Sequence, residues 1–229
     1  MIRPALLLLA LLAVPAAAAE KRVGVGSFDR VRVNGPFEVT YTTGSPGARL
    51  SGDRQAIDRV DLRVDGTTLT IRRISQGGDE QTPATSGEPV KVTLSSPSLT
   101  SAAVFAGGRL TATRVRGARI DLSISGAGTV AVADAVADQV NATVIGTGTV
   151  TLAGRAARAR YVMNGAGRID AGKLNAGTVS VLLDGPGEIK AQARYDANVT
   201  NTGLGAVSIT GTPKCTVRAR AGGPVVCGR

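Results

Sequence analysis

The sequence of 229 residues contains no histidine and no tryptophan, and its only aromatic residues are three tyrosines and three phenylalanines. The absence of histidine excludes the Ser-His-Asp triad and removes the commonest general base and zinc ligand. The scarcity of aromatic rings leaves few platforms on which a sugar could stack. We therefore expect no catalytic residue, no metal site and no cofactor.

Long apolar runs are also missing, apart from one at the start of the chain. Residues 5–14 are apolar throughout, follow the base Arg3, and precede a small-residue Ala-x-Ala pattern that ends at Ala19. This run is about half of the roughly 20 residues that a helix needs to cross a bilayer. We expect residues 1–19 to be a cleaved signal peptide, with no transmembrane segment elsewhere. The protein would then be exported to the periplasm, the cell surface or the medium.

Cysteine is scarce, with only Cys215 and Cys227. Thiols of exported proteins oxidise readily, so we predict one disulfide between them. Pro213 before the segment and Gly222-Gly223-Pro224 within it allow the chain to turn back on itself. The bridge would close the C-terminal end of the protein.

Glycine, by contrast, is abundant and forms a repeat. Five copies of x-Gly-x-Gly-x-(Val/Ile) follow one another, with second glycines 18 to 20 residues apart. The pairs are Gly126 and Gly128, Gly146 and Gly148, Gly165 and Gly167, Gly185 and Gly187, and Gly203 and Gly205. We interpret them as structural, because corners between strands need positive φ or close backbone approach. A nucleotide loop would need a third glycine opening a helix, whereas each copy runs into a strand.

The residues between the glycines alternate between apolar and polar, which predicts short strands. A unit of about 20 residues cannot bury its own apolar face, so the copies must stack. The predicted fold is all-β, a right-handed parallel β-helix or solenoid with three inward columns. The columns are Leu110, Val130, Val150, Ile169, Ile189 and Val207; Ala112, Val132, Leu152, Ala171, Ala191 and Ile209; and Ile124, Val144, Met163 and Leu183. Asn201 breaks the third column, so we expect an irregular terminal coil.

The same alignment predicts charge pairs between the fourth and fifth coils. Arg168 should face Glu188, and Asp170 should face Lys190, because each pair stands at the same distance from its repeat glycine. Neighbouring strands lie about 4.8 Å apart, which allows contact.

Residues 20–95 lack the 20-residue period but contain strand-like segments, with Asp65-Gly66 as a hairpin turn. Residues 75–89 are polar, carry three acids and no base, and are predicted to be flexible. We therefore divide the chain into a smaller N-terminal β unit, 20–95, and a repeat unit with a C-terminal disulfide cap, 96–229.

Several segments carry a family resemblance. They are Phe28–Val39 (FDRVRVNGPFEV), Leu50–Asp53 (LSGD), Val64–Ile71 (VDGTTLTI) and the serial Ser-Gly-Ala-Gly-Thr-Val copies. Together they resemble the auto-transporter adhesin head GIN domain family over roughly residues 28–210. The resemblance implies a secreted or envelope protein built from β-helical units, with an adhesin-like role and no catalytic residues. This chain differs in its basic charge and in the Thr, Arg, Glu or Ala that follows each G-x-G, where an acid is commoner.

Acidic residues are the scarcer charge, at 17 against 27 lysines and arginines. A basic exported protein favours an acidic polysaccharide or envelope surface as partner, and we expect no nucleic acid outside the cytoplasm. The candidate contacts are arginines of two coils: Arg114, Arg116, Arg119, Arg155, Arg158 and Arg160. Alternatively, they pair with Asp134 and Asp138 of the coil between them and only solubilise the protein.

Two classes of function remain open. The first is a non-enzymatic binding or adhesion module whose exposed rows, rather than a pocket, contact an acidic glycan or envelope component. The alternative is a polysaccharide lyase or hydrolase on a parallel β-helix, which would need two carboxylates beside a cleft. The candidate carboxylates are spread over different coils: Asp121, Asp134, Asp138, Asp170, Asp184 and Glu188.

Overall fold

The structure is a computed structural model that describes residues 19–74, 89–220 and 222–228. Of the predicted signal peptide, 1–19, only Ala19 is described, and of the predicted flexible segment, 75–89, only Pro89 is described. The rest of both segments lies outside the described residues. Within the described residues the regular elements are seventeen strands and one short helix.

The N-terminal part contributes seven strands and the helix. They are β1 (Ala19–Val23), β2 (Arg30–Asn34), β3 (Glu38–Thr43), β4 (Gly47–Gly52), α1 (Arg54–Asp58), β5 (Val60–Asp65), β6 (Thr68–Arg73) and β7 (Lys91–Ser96). The helix begins after Asp53, whose side-chain oxygen accepts a hydrogen bond from the Ala56 amide at 3.0 Å. Strands β5 and β6 form the predicted hairpin, with Asp65 opposite Thr68.

The repeat region contributes ten strands. They are β8 (Ser101–Phe105), β9 (Arg109–Ala112), β10 (Val115–Gly126), β11 (Thr129–Gly146), β12 (Thr149–Asn164), β13 (Arg168–Asp184), β14 (Glu188–Asn201), β15 (Ala206–Gly211), β16 (Lys214–Ala219) and β17 (Val225–Cys227). Successive coils pair in parallel from β10 to β14. The predicted fold is confirmed: the chain forms a β-solenoid of about six turns.

Each of the strands β11 to β14 contributes to three surfaces of the solenoid. In β11 the three segments are 129–132, 135–137 and 139–146, separated by a shift in register and by an unpaired residue. We call the surfaces formed by the equivalent segments of all coils face A, face B and face C, in that order. Gly148 and Gly167 are 19 residues apart, one fewer than the 20 between Gly128 and Gly148. The missing residue falls at the register shift between faces A and B, so the residues within each of these faces stay in register.

The three predicted inward columns are confirmed, because every apolar member is buried. The register aligns Ile124 with Val144, Val144 with Met163, and Met163 with Leu183. Asn201 ends the third column and is itself fully buried. Burial of its polar side chain is possible because it is hydrogen-bonded.

The terminal coil departs from the others at one corner. The Asn201 side-chain amide donates to the Gly205 carbonyl at 2.8 Å, and its side-chain oxygen accepts a hydrogen bond from the Gly203 amide at 3.1 Å. Beyond this corner the coil remains regular, since β15 and β16 both pair in register with β14.

The N-terminal part and the repeat region share one sheet. Strands β8 and β9 pair in parallel with β2 and β3, so the ladder crosses the boundary drawn at residues 95 and 96. On their other side β2 and β3 pair with β6 and β7. Residues 30–43 therefore lie between two coils that both come later in the chain. The antiparallel strands β1, β4 and β5 complete the N-terminal end of the sheet. The division at residue 95 therefore marks where the sequence repeat begins rather than a break in the sheet.

The predicted disulfide between Cys215 and Cys227 is present, with Cα atoms 6.3 Å apart. Cys215 follows Ala197 in an inward column of face C, and Cys227 follows Ile209 in an inward column of face A. The bridge therefore crosses the interior of the last coil, at positions where earlier coils place apolar side chains.

Candidate functional site

The repeat glycines fill two distinct corner positions. The first glycine of four copies has a φ between 97° and 124°; these are Gly126, Gly146, Gly165 and Gly185. The second glycine is needed for a different reason, because a Cβ at Gly148 would lie 2.9 Å from the Gly128 carbonyl oxygen of the preceding coil. One position therefore requires a left-handed backbone, and the other requires close approach between coils.

The six arginines considered as ligand contacts are all exposed, but they lie on different faces. Arg116 and Arg155 lie on face B, in one column with Val136 between them. Arg119 and Arg158 share a column of face C in the same way, separated by Gln139. The remaining two lie before β10, at Arg114, and on face C, at Arg160.

Two of these arginines are paired with carboxylates. Arg114 Nε lies 2.9 Å from Asp134 Oδ2, as the self-pairing interpretation expects. Arg119 Nε lies 3.1 Å from Asp121 Oδ1 of its own strand. Asp138 was expected to be flanked by arginines, but no basic nitrogen of the described residues lies within 4.0 Å of its carboxylate. Asp138 lies at the turn between faces B and C, where it has no partner residue in either neighbouring strand.

The other four arginines are not neutralised. Within the described part of the chain, no carboxylate oxygen lies within 4.0 Å of Arg116, Arg155, Arg158 or Arg160. All four are exposed on hydrogen-bonded strands. Self-pairing therefore accounts for part of the basic charge and leaves a cationic area on two adjacent faces.

Uncharged polar side chains surround the face C arginines. Arg160 lies in a column with Asn141 on one side and Ser180 and Asn198 on the other. Arg158 has Gln139 beside it. The Gln139 side-chain amide donates to the Asn141 side-chain oxygen at 3.0 Å, and the Asn141 amide donates to Asp121 Oδ1 at 2.6 Å.

Sequence reasoning missed these neighbours because their side chains vary from coil to coil. The one signal that could have found them is their shared distance from the repeat glycine. We call the set Gln139, Asn141, Arg158, Arg160, Ser180 and Asn198 the face C platform.

Face B carries a second, shallow feature. A groove of about 510 Å³ is lined mostly by small residues of adjacent coils and rimmed by Arg155, Arg194 and Asp138. At one end the Arg194 guanidinium stacks on the exposed Tyr195 ring, 5.2 Å from its centroid.

The two charge pairs predicted between the fourth and fifth coils lie on face A, and one of them forms a direct ion pair. Arg168 and Glu188 face each other and form an ion pair with a nitrogen–oxygen distance of 2.6 Å. Asp170 and Lys190 also stand opposite each other, as predicted, but their side chains do not form an ion pair. Lys190 Nζ lies 3.1 Å from Glu188 Oε1, two residues away on its own strand, and the shorter Asp170 side chain accepts a hydrogen bond from the Gly172 amide at 3.3 Å.

Residues 27–213 match the protein family described as "Putative auto-transporter adhesin, head GIN domain". The chain belongs to the head GIN domain family. The match covers both the N-terminal strands and the repeat region, in agreement with the resemblance carried by the sequence segments. No curated protein matches the chain in sequence.

Solved structures share the fold of this GIN domain. A protein described as a putative adhesin from Bacteroides fragilis superposes with a TM-score of 0.84 and 20% identity, over 93% of this chain and 98% of that chain. A protein from Parabacteroides distasonis described as a putative lipid binding protein has a TM-score of 0.72 and 17% identity, over 93% and 95% of the two chains. A protein from Parabacteroides merdae described as a putative adhesin has a TM-score of 0.71 and 16% identity, over 94% and 97%.

The carboxylates of the GIN domain are dispersed over its surface. Asp121 lies on face C beside Arg119, Asp134 binds Arg114, and Glu188 lies on face A between Arg168 and Lys190. Within residues 19–74, 89–220 and 222–228, no group of three or more histidine, cysteine or acidic side chains is arranged to hold a metal ion. The same residues include no helix long and apolar enough to span a bilayer.

Proposed function

We propose that this GIN domain is an exported, non-enzymatic adhesion-type module that holds an acidic glycan or envelope component on its exposed rows. The observation that carries the proposal is the set of four uncompensated arginines, Arg116, Arg155, Arg158 and Arg160, on two adjacent faces. Three of them lie on β12 and Arg116 lies two strands away on β10, and the strand spacing of about 4.8 Å suits an extended ligand that runs across the coils. Arginine binds carboxylate and phosphate groups through paired donors.

Export is supported by the predicted signal peptide and by the disulfide, which forms in oxidising compartments. Mass spectrometry of the protein expressed in a bacterial host with its full N-terminus should give a chain that begins at Glu20 in the periplasmic or extracellular fraction. An intact chain that begins at Met1 in the cytoplasm would contradict this part of the proposal.

Binding is tested by reversing the charge of the four arginines together. Arg116→Glu, Arg155→Glu, Arg158→Glu and Arg160→Glu should weaken binding to immobilised acidic polysaccharides by about tenfold or more at low salt. The salt dependence of binding should flatten, because fewer charges are screened. Surface plasmon resonance over a salt series measures both effects.

A matched control uses arginines of the N-terminal part. Arg22→Glu, Arg54→Glu, Arg63→Glu and Arg73→Glu change the net charge equally, and all four residues are exposed. This variant should keep most of the affinity. Equal losses in the two variants would show that net charge, rather than these faces, governs binding. Release of reducing ends or unsaturated sugars by the wild-type protein would instead favour the lyase or hydrolase alternative.

A further inference from the structure

Resting on the binding role proposed above, we infer that the face C platform is a subsite for a polysaccharide with one carboxylate on each sugar, such as a chain of uronic acids. The six platform residues lie on four consecutive strands, β11 to β14. The sugar chain would run across these strands, along the solenoid axis.

The spacing of the charged groups suits a ligand with separated charges. Arg158 and Arg160 are two residues apart on β12, so their side chains emerge on the same face roughly 7 Å apart. Asn141 and Ser180 lie one strand to either side of Arg160, at about 4.8 Å. The two guanidinium groups are therefore set among neutral side chains rather than within a continuous basic stripe.

Carboxylates at the edges of the platform disfavour a densely charged ligand. Asp121 lies beside Asn141, and Asp196 lies in the column of Arg158 with Thr178 between them. Asp121 is paired with Arg119, but no basic nitrogen of the described residues lies within 4.0 Å of the Asp196 carboxylate. A heavily sulfated chain that covered the platform would place anionic groups against Asp196, and like charges repel. A chain with one carboxylate on each sugar can present that group to Arg158 or Arg160 and place its hydroxyls elsewhere. The planar carboxylate also matches the bidentate guanidinium fork.

The neutral residues on and beside the platform suit the hydroxyl and C–H groups of a sugar. Amides of Gln139, Asn141 and Asn198 and the hydroxyl of Ser180 can both donate and accept hydrogen bonds, as sugar hydroxyls require. Leu182 is 38% exposed in the neighbouring outward column and follows Val162 there. It offers an apolar contact for the C–H groups of a pyranose ring. Together with Leu182, the platform thus offers charged, hydrogen-bonding and apolar contacts to an acidic sugar.

The test measures the affinity of the full exported chain for three probes by isothermal titration calorimetry: oligogalacturonate, its methyl ester and heparin. We expect the wild-type protein to bind oligogalacturonate at least tenfold more tightly than the methyl ester, which lacks the charge. Arg158→Lys combined with Arg160→Lys keeps both charges but removes the planar guanidinium groups, which can bind a carboxylate through two parallel hydrogen bonds. It should weaken oligogalacturonate binding about tenfold and change heparin binding less.

Neutral substitutions separate recognition of the sugar from simple charge attraction. Ser180→Ala and Asn198→Ala should each weaken oligogalacturonate binding about fivefold without changing its salt dependence, because neither side chain is charged. The matched controls, Thr149→Ala and Thr151→Ala on face A, should leave binding unchanged. Thermal denaturation of every variant confirms that the fold is retained.

The outcomes distinguish this inference from the proposal on which it rests. If all acidic probes bind through the arginines but the methyl ester binds as well as the acid, or the neutral substitutions have no effect, the carboxylated-sugar subsite is overturned and the binding role stands. If no acidic probe binds at low salt, both are overturned.

Discussion

Replacing Tyr161 by phenylalanine is expected to stabilise the protein. Tyr161 is fully buried in an inward column, with Ala142 and Val181 of the adjoining coils on either side. Its hydroxyl has no hydrogen-bond partner among the described residues. A buried, unsatisfied hydroxyl costs roughly 1–3 kcal/mol, whereas a void the size of one oxygen atom costs a few tenths. The free energy of unfolding of Tyr161→Phe should therefore rise by about 1–2 kcal/mol in a urea titration at neutral pH.

The stabilisation should increase at high pH. Burial raises the pKa of the Tyr161 phenol above its ordinary value near 10. The phenol of the unfolded chain therefore ionises first, and above about pH 10 the wild-type protein loses up to about 1.4 kcal/mol of stability per pH unit. Tyr161→Phe has no such group. The difference in unfolding free energy between variant and wild type should widen between about pH 10 and about pH 11.

Tyr41→Phe is the matched control, because it removes the same atom but is expected to lower the free energy of unfolding. The Tyr41 hydroxyl donates to the Ser96 carbonyl oxygen at 2.9 Å in the buried core. Loss of this bond should lower the free energy of unfolding by about 1 kcal/mol. The reasoning is refuted if Tyr161→Phe is less stable than the wild type at neutral pH, since its hydroxyl would then make a favourable interaction.

Three further variants and one control test the fold. Cys215→Ser combined with Cys227→Ser should lower the free energy of unfolding by about 3 kcal/mol, because the bridge links residues 12 apart; equal urea midpoints for bridged and bridge-free protein would contradict this. Asn201→Leu restores an apolar column but leaves the Gly203 amide and Gly205 carbonyl without their partner, so thermal denaturation should show a loss of about 2–3 kcal/mol. Gly148→Ala should cost at least about 2 kcal/mol by urea titration because its Cβ meets a carbonyl oxygen. Gly172→Ala, whose nearest neighbour would be 3.6 Å away, should change the midpoint little.

The repeat region could be predicted from the sequence because one period fixes many contacts. The distance of each residue from its repeat glycine gave the parallel register, the inward columns and the pairing of Arg168 with Glu188. Asp170 and Lys190 stand opposite each other as predicted but do not contact, because the register fixes the backbone positions of two side chains and not which neighbouring charge each one binds. Glu188 is long enough to bind both Arg168 and Lys190.

The N-terminal part could be predicted only as single strands and one hairpin. Its strands have no repeat, and their pairing does not follow chain order: β2 lies between β6 and β8. Such pairings depend on contacts between distant residues, which local patterns do not encode. The same limit applies to the candidate site, where Asn141 and Ser180 acquire their position beside Arg160 only once the coils stack.

The most direct test of the proposed binding role is a map of amide chemical-shift changes on isotope-labelled protein titrated with oligogalacturonate. We expect the largest changes in the outward residues of β11 to β14 on face C, centred on Arg158 and Arg160, with smaller changes at Arg116 and Arg155 on face B. Saturable changes confined to the N-terminal strands or to the disulfide-closed end would contradict the account, because the four arginines of faces B and C would then play no part in binding.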